Sequence, residues 1–341
     1  MRAMILAAGL GTRLRPLTYL MPKPMAPVLN VPVMEHIVRL LVKHGFTEVI
    51  TNLSYLPERI REHFGDGSDF GIELSYSEEA EPLGTAGGVG KVRDFLTESE
   101  SCLIISGDAL TDIDLGAMRE AHEGNDGIAT LATKRVEDTT QFGVAITDPE
   151  GRIQGFQEKP EPAEALSDLA NCGIYMFRAE IFDHFPGAGH RSPAGDPDQP
   201  EGFVDWAQDV FPALLAEDVP FHSHELEAYW NDIGSISEYV QGNFDALRGE
   251  PALERPPEAS GGVYAAAGSD LDGVRTKPPV LIGAGCEIGA GVDLHGPVVI
   301  GDGARIGAGA MIRDAVVLPG AVLESGAAVV GGILGQKAPD R

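Results

Sequence analysis

Cysteine is scarce. The 341-residue chain holds three, Cys102, Cys172 and Cys286, far apart in sequence. No metal-type spacing joins them, so a zinc module or a disulfide scaffold is excluded and a reducing cytoplasmic setting is expected. Long apolar runs are also lacking: none reaches the roughly 18 residues of a membrane span. Residues 1–8 carry no small-residue cleavage site after an apolar core and run directly into a glycine turn, so they read as a first strand rather than a signal peptide. Positive charge is short as well. Lys and Arg number 25 against 52 Asp and Glu, a net charge of −27. Such a surface repels polyanions, which excludes nucleic acid and anionic membrane as general partners.

What is present suffices for a globular chain. Hydrophobic residues make up 43% of the sequence, enough for a packed core, and the length suggests about two domains. The few cations are unevenly placed. Residues 1–50 carry Arg2, Arg13, Arg15, Lys23, Arg39 and Lys43 against Glu35 and Glu48, a net +4, which leaves −31 for the remainder. A cationic region in an acidic protein suits a small anionic ligand.

The first 225 or so residues alternate short apolar stretches (3–8, 48–53, 72–77, 102–106, 128–133 and 174–177) with amphipathic ones (34–44, 57–64 and 115–122). That pattern predicts βαβ units: an α/β fold with a Rossmann-like, mostly parallel sheet and helices on both faces. Ligands of such sheets bind beyond the carboxyl ends of the strands. Residues 186–202 read as a Pro/Gly-rich loop, and a helix over 236–247 should close a first domain at about residue 250. Residues 251–262 read as a linker. From 263 to 341 the composition changes, with 18 glycines among residues 259–335. Ile282, Ile288, Leu294, Ile300, Ile306, Ile312 and Leu318 recur every six residues, a period that fits neither a helix nor a strand. It predicts a short left-handed parallel β-helix of hexapeptide repeats, about three coils from 282 to 335. The phase blurs after Leu318, where Glu324 breaks it.

The strongest local chemistry lies at the end of the first strand, in Leu6-Ala7-Ala8-Gly9-Leu10-Gly11-Thr12-Arg13-Leu14-Arg15-Pro16-Leu17-Thr18. Glycines let backbone N–H groups approach phosphate oxygens. A dinucleotide fingerprint would need Gly where Leu14 stands, and a P-loop would need Gly-Lys-Ser/Thr; neither is met. A glycine loop followed at once by Arg13 remains. Ten residues on, Pro22 and Pro24 stiffen the position of Lys23. Asp108 follows an apolar strand, where active groups are commonly placed.

These stretches, with Pro27, closely resemble the signature of the sugar-1-phosphate nucleotidyltransferases (NDP-sugar pyrophosphorylases). Further matches follow in family order: Glu81-Pro82-Leu83-Gly84-Thr85-Ala86-Gly87-Gly88, Gly107-Asp108, Phe156-Gln157-Glu158-Lys159-Pro160, Asn171-Cys172-Gly173-Ile174-Tyr175, and Tyr229-Trp230-Asn231-Asp232-Ile233-Gly234. The resemblance covers residues 1–248, and the hexapeptide tail suits it. It implies that a sugar 1-phosphate oxygen attacks the α-phosphorus of an NTP and displaces pyrophosphate, with catalysis by positioning and charge neutralisation. It further implies that Ala8, Gly9, Leu10, Gly11, Thr12 and Thr85 contact the nucleotide. Arg13, Lys23 and Asp108 act in catalysis. Asp108 and Asp232 hold Mg²⁺, with Asp112 a weaker alternative. Gly143, Glu158, Lys159 and Asn171 receive the sugar phosphate.

Base and sugar are less legible. Glu78-Glu79-Ala80-Glu81 supplies three carboxylates and no Gln. Guanine presents adjacent N1–H and N2–H₂ donors that a carboxylate can accept, which favours GTP, with Glu79 by spacing and Gly84 at the base. The Glu-Pro-Leu-Gly-Thr-Ala-Gly run most resembles mannose-1-phosphate guanylyltransferases. Glucose-1-phosphate thymidylyl- or uridylyltransferases and N-acetylmuramate-1-phosphate uridylyltransferases stay open. Two readings of other classes compete. An acyltransferase β-helix would need an activated His, and the tail offers His295 alone. A non-catalytic nucleotide-sugar-binding regulator should have lost a charged site residue, yet Arg13, Lys23, Asp108, Lys159 and Asp232 are all present. A homo-oligomer joined through the β-helix is expected.

Overall fold

A computed structural model describes residues 1–187, 190 and 202–335; most of the Pro/Gly-rich loop read at 186–202, and the last six residues, lie outside the described residues. In chain order the main elements are β1 (Arg2–Leu6), α1 (Val33–Lys43), β2 (Glu48–Leu53), α2 (Pro57–Phe64), β3 (Glu73–Glu78), α3 (Gly84–Lys91), β4 (Ser101–Ser106), α4 (Leu115–Gly124), β5 (Ala129–Arg135), β6 (Gly143–Thr147), β7 (Ile153–Glu158), β8 (Leu169–Arg178), α5 (Phe211–Ala216), β9 (Phe221–Glu225) and α6 (Ile236–Arg248). Local chemistry sets their ends. Pro57 opens α2, where its missing N–H costs nothing, and Gly65 closes it. The Asp114 carboxylate accepts from Gly116 N and Ala117 N to cap α4, and Ser235 Oγ accepts from Glu238 N to cap α6.

The chain divides into two compact units. One comprises Met1–Leu10 and Ile37–Trp230; the other comprises Gly11–His36 and Asn231–Arg341.

The first unit is built on a nine-stranded sheet whose main path is β7-β6-β8-β4-β1-β2-β3, with β5 paired to β8 and β9 to β5. Around β1 the pairing is parallel, as β1 runs alongside β2 and β4, and β2 alongside β3. Beyond β4 it turns antiparallel along the main path, because β8 runs against β4, β5 and β6, while β9 lies parallel to β5. The sheet is thus mixed, its parallel part being the part that carries the signature. Ala3, Met4 and Ile5 of β1 and Leu103, Ile104 and Ile105 of β4 have no exposed surface. That burial explains their near-continuous apolar sequence. Leu6 stands beside Asn52 and Ser106, and Asn52 beside Ser77, so four parallel strands end at one edge. The chain order reverses between β1 and β4, which makes this edge the switch point where such sheets bind ligands.

The second unit combines three short 3₁₀ turns, a two-strand hairpin, α6 and the β-helix. The hairpin pairs Pro27 with Pro32 and Val28 with Val31. α6 grips it: Tyr239 Oη donates to Pro27 O at 2.7 Å, and Asn243 Oδ1 accepts from Leu29 N at 3.1 Å. At the hairpin tip, Asn30 Nδ2 donates to Ile300 O of the β-helix at 3.0 Å.

The β-helix stacks parallel rungs from Val263 onward, with Val263–Ala265 beside Val280–Ile282 and the latter beside residues 298–300. Part of the stretch read as linker is ordered strand: Glu258–Ser260 pairs antiparallel with Val263–Ala265. Ile282, Leu294, Ile300, Ile306 and Ile312 are buried in one core cluster, as the six-residue period requires, and Ile288 packs against it. One coil is 18 residues, as Ile282 to Ile300 and Leu294 to Ile312 show. The next is one residue shorter. Ile300 stacks on Val317, not Leu318, because the corner that holds Gly296 and Pro297 in one coil is made by Asp314 alone in the next, at φ 49°. This shortened corner is the physical origin of the blurred phase.

Candidate active site

In the first unit, Ala8, Gly9 and Leu10 leave β1 at the switch-point edge. Gly9 has open space where a side chain would begin, and Leu10 is exposed. Gly107 N donates to Leu6 O at 2.9 Å, which holds the turn bearing Asp108 against the end of β1. Asp108 is half-buried there. Ala7 N donates to Asn52 Oδ1 at 2.7 Å, and Asn52 Nδ2 donates to Glu79 Oε1 at 2.8 Å. The other Glu79 oxygen accepts from Leu83 N at 3.0 Å. Glu79 is therefore drawn inward, 5% exposed, with each oxygen already holding one hydrogen bond.

The turn after Glu79 is clamped from a distant segment. Ala86 N and Gly87 N donate to Val204 O at 2.9 and 3.0 Å, and Val204 N donates to Leu83 O. Gly84 sits at φ 84°, and a Cβ there would lie 2.4 Å from Val204 O, so only glycine fits. The Thr85 hydroxyl donates to Asp205 Oδ2 at 2.7 Å and accepts from Trp206 N.

The residues expected to receive the sugar phosphate are neighbours in the same unit. Glu158 of β7 pairs with Gly143 of β6, and a Cβ on Gly143 would lie 3.1 Å from Glu158 Oε2. Lys159 has a left-handed backbone (φ 47°) held by its N–H to Phe142 O, and its Nζ meets Glu158 Oε1 at 3.0 Å. Asn171 follows the Ala170–Val144 pair of β8 and β6; its amide donates to Tyr175 Oη and its carbonyl accepts from Gly173 N. Burial pushes the Tyr175 hydroxyl pKa up, so it stays protonated beside Asn171. Trp230 Nε1 donates to Cys172 O, and its ring lies 5.2 Å from that of Phe142. Asp112, the weaker metal candidate, accepts from Tyr229 N at 2.9 Å, while Thr111 Oγ1 donates to Tyr229 O.

Gly11, Thr12, Arg13, Lys23 and Asp232 belong to the second unit. Gly11 adopts φ 59°, and a Cβ would lie 3.0 Å from Thr18 Cγ2 and 3.1 Å from Lys23 Cβ. The glycine, the threonine and the lysine of the signature thus pack together. Thr18 Oγ1 donates to Gly11 O at 2.8 Å, which reinforces the turn. Thr12 and Arg13 are exposed on the first 3₁₀ turn, and Lys23 opens the third, after Pro22. Asp232 lies in a strained turn. Ile233, a β-branched residue, is held at φ 45°, a conformation that costs about 1–3 kcal/mol. Asn231 Oδ1 accepts from Ile233 N at 2.7 Å and Asp232 Oδ1 from Gly234 N at 3.1 Å to hold it. A Cβ on Gly234 would lie 2.9 Å from both Asp232 Oδ2 and Glu238 Oε2, so the glycine leaves room for the carboxylate.

Asn52 is the residue that sequence reasoning missed. Its one signal is an amide near the carboxyl end of the strand Glu48–Leu53. Among the described residues no group of three or more His, Cys, Asp or Glu side chains could hold a metal ion alone, and no helix is long and apolar enough to cross a membrane.

Residues 2–249 match the family model described as nucleotidyl transferase, and residues 279–314 match the bacterial transferase hexapeptide model of six repeats. A UTP–glucose-1-phosphate uridylyltransferase of Synechocystis is 37% identical over 87% of this chain and 77% of its own. A mannose-1-phosphate guanylyltransferase of Mycobacterium tuberculosis is 34% identical over 86% of this chain and 78% of its own. The fold is shared with a solved putative glucose-1-phosphate thymidylyltransferase from Bacillus anthracis, with a TM-score of 0.63 at 24% identity over 75% of this chain and 98% of that one. The matched model spans the glycine loop, the Asp108 turn and the Glu158–Lys159 pair, and the chain belongs to the nucleotidyl transferase family as a sugar-1-phosphate nucleotidyltransferase with a C-terminal hexapeptide repeat.

Proposed function

We propose that this enzyme transfers the guanylyl group of GTP to mannose 1-phosphate, giving GDP-mannose and pyrophosphate. One observation carries the choice of base: the segment entering the Leu83–Gly84 turn offers Glu78, Glu79 and Glu81 and no glutamine. A carboxylate accepts from both donors of guanine, whereas uracil and thymine suit an amide. Glu79 uses one lone pair on each oxygen and has about four acceptor sites, so capacity remains. Similarity to the M. tuberculosis guanylyltransferase supports this reading. UTP with glucose 1-phosphate is the second reading, favoured by the Synechocystis relative.

We assign catalysis to residues 1–250 and the repeat to 263–341. A phosphate oxygen of the sugar 1-phosphate attacks the α-phosphorus, and the bond to the bridging oxygen breaks, releasing pyrophosphate. Backbone N–H groups along residues 8–12 bind the triphosphate. Arg13 and Lys23 neutralise the charge that builds on the transferring phosphate and the leaving pyrophosphate. Glu158 and Asn171 take sugar hydroxyls at the Gly143 strand, and Lys159 takes the sugar phosphate. Asp108 and Asp232 are the residues that would hold Mg²⁺. Two carboxylates are hard oxygen donors that suit this cation and leave most of its coordination to phosphate and water. Bound there, Mg²⁺ would supply further charge neutralisation.

Pyrophosphate release across five NTPs and a panel of sugar 1-phosphates tests the substrate. The highest kcat/KM is expected for GTP with mannose 1-phosphate. A higher value for UTP with glucose 1-phosphate would replace the substrate reading and leave the reaction class standing. Subunit association is assigned to the β-helix, where Val322 and Val330 are 47% and 54% exposed. Light scattering should find an oligomer at micromolar protein; a monomer would remove this assignment.

A further inference from the structure

The Asn52–Glu79 pair spans the space between two backbones that the nucleotide reading places at phosphate and base. At one end Asn52 Oδ1 takes the N–H of Ala7, the residue entering the glycine loop. At the other end Glu79 Oε2 takes the N–H of Leu83, the residue entering the Gly84 turn. Between them the Asn52 amide donates to Glu79 Oε1. Asn52 is 3% exposed and Glu79 5%. A third residue is shaped around the pair. Gly88 lies inside α3, where glycine costs about 1 kcal/mol relative to alanine. A Cβ there would lie 2.6 Å from Glu79 Oε1 and 2.7 Å from Asn52 Nδ2. The helix tolerates the glycine because the bonded pair occupies that space.

We propose that Asn52 and Glu79 are positioning residues that set the glycine loop and the base-side turn at one spacing, and so control NTP binding. The inference rests on the reading that this strand edge receives the nucleotide, but not on which base is bound. A polar, hydrogen-bonded bridge can hold that spacing, since each bonded atom has a partner of the right kind and shifting either backbone leaves a buried group unsatisfied.

The donor and acceptor pattern supplies the test. Glu79→Gln leaves one acceptor oxygen where two donors, Asn52 Nδ2 and Leu83 N, both need one. The KM for NTP should rise about tenfold for every NTP the enzyme accepts, and by more for GTP, whose guanine Glu79 is read as contacting, with the KM for sugar 1-phosphate unchanged. In the double variant Asn52→Asp/Glu79→Gln the carboxylate moves to position 52. It can accept from Ala7 N and from the new amide, whose oxygen accepts from Leu83 N; net charge is conserved. The shared rise in KM should reverse. Gly88→Ala, which wedges the pair from the helix side, should raise the KM for NTP in the same way and keeps the test open should Glu79→Gln not fold. A shared rise reversed in the double variant supports the bridge whatever the GTP:UTP ratio does, since that ratio tests base choice alone. An unchanged KM for NTP, a rise confined to one NTP, an equal rise for the sugar phosphate, or no recovery in the double variant would each overturn it.

Discussion

In the sheet of the first unit the informative side chains stand where strands stop; in the β-helix they point inward into its core. Glycine shows the same contrast. Gly84 and Gly88 make room for groups from other segments: a Cβ would strike Val204 O at one and the Asn52–Glu79 pair at the other. Gly301 and Gly307 make room for the next coil, where a Cβ would lie 2.3 Å from Pro319 N or Ser325 N. On the proposed assignment, stability and chemistry are thereby separated. A rung repeats one solution and its core is a continuous aliphatic stack, whereas each position at the strand edge makes its own contacts. Damage to the first should show in unfolding and damage to the second in turnover.

The sharpest test of that separation is at the two signature cations. Arg13→Ala or Lys23→Ala should lower kcat about 10²–10³-fold while thermal unfolding stays near wild type. Wild-type turnover in both would refute their assigned roles. Asp108→Asn should abolish metal-dependent turnover, and full activity in EDTA would remove the cation from the reading. In the β-helix the expectation is reversed. Ile300 is fully buried, so Ile300→Ala should cost about 2–5 kcal/mol in denaturant unfolding and leave the KM for NTP unchanged. A large shift in that KM would break the comparison.

A smaller effect depends on pH. His122 of α4 is fully buried, with Nδ1 against Thr130 Oγ1. Burial first, and the Arg178 charge second, push its pKa down to about 4. The unfolded chain takes up this proton near pH 6.5, before the folded one does. The stabilising contribution is therefore whole above pH 6.5 and is lost as pH falls towards 4, by at most about 3 kcal/mol. Urea midpoints across that range should show the slope, and His122→Asn should flatten it. The smallest effect on stability belongs to Lys159. Both it and Glu158 are 53% exposed, so Lys159→Ala should change stability by less than about 1 kcal/mol. The KM for sugar 1-phosphate should nonetheless rise, measured by pyrophosphate release.

Much of the architecture is legible in the residues. Strand 48–53 and helix 57–64 have the bounds that the sequence pattern predicts, since Pro57 and the Gly65 stop are local signals. The antiparallel half of the sheet is not legible, because an apolar strand such as β8 reads the same whichever way its partners run. The six-residue period reveals the β-helix but not its shortened coil. Leu318 keeps the period along the chain, yet Val317 occupies the rung, since one residue is missing at the Asp314 corner. Spacing alone singles out Glu79, but not that its side chain takes Asn52 and Leu83 N, partners 27 and 4 residues away.

By itself the sequence determined the reaction class and the repeat, because both are written in residues close together: a glycine turn, prolines around a lysine, an aliphatic every sixth position. Tertiary structure alone decided which backbones share a hydrogen-bonded bridge, and that residues 11–36 join the C-terminal part of the chain. Those outcomes depend on contacts between segments distant in sequence, and a buried amide or carboxylate takes whichever partner the packed chain brings within about 3 Å.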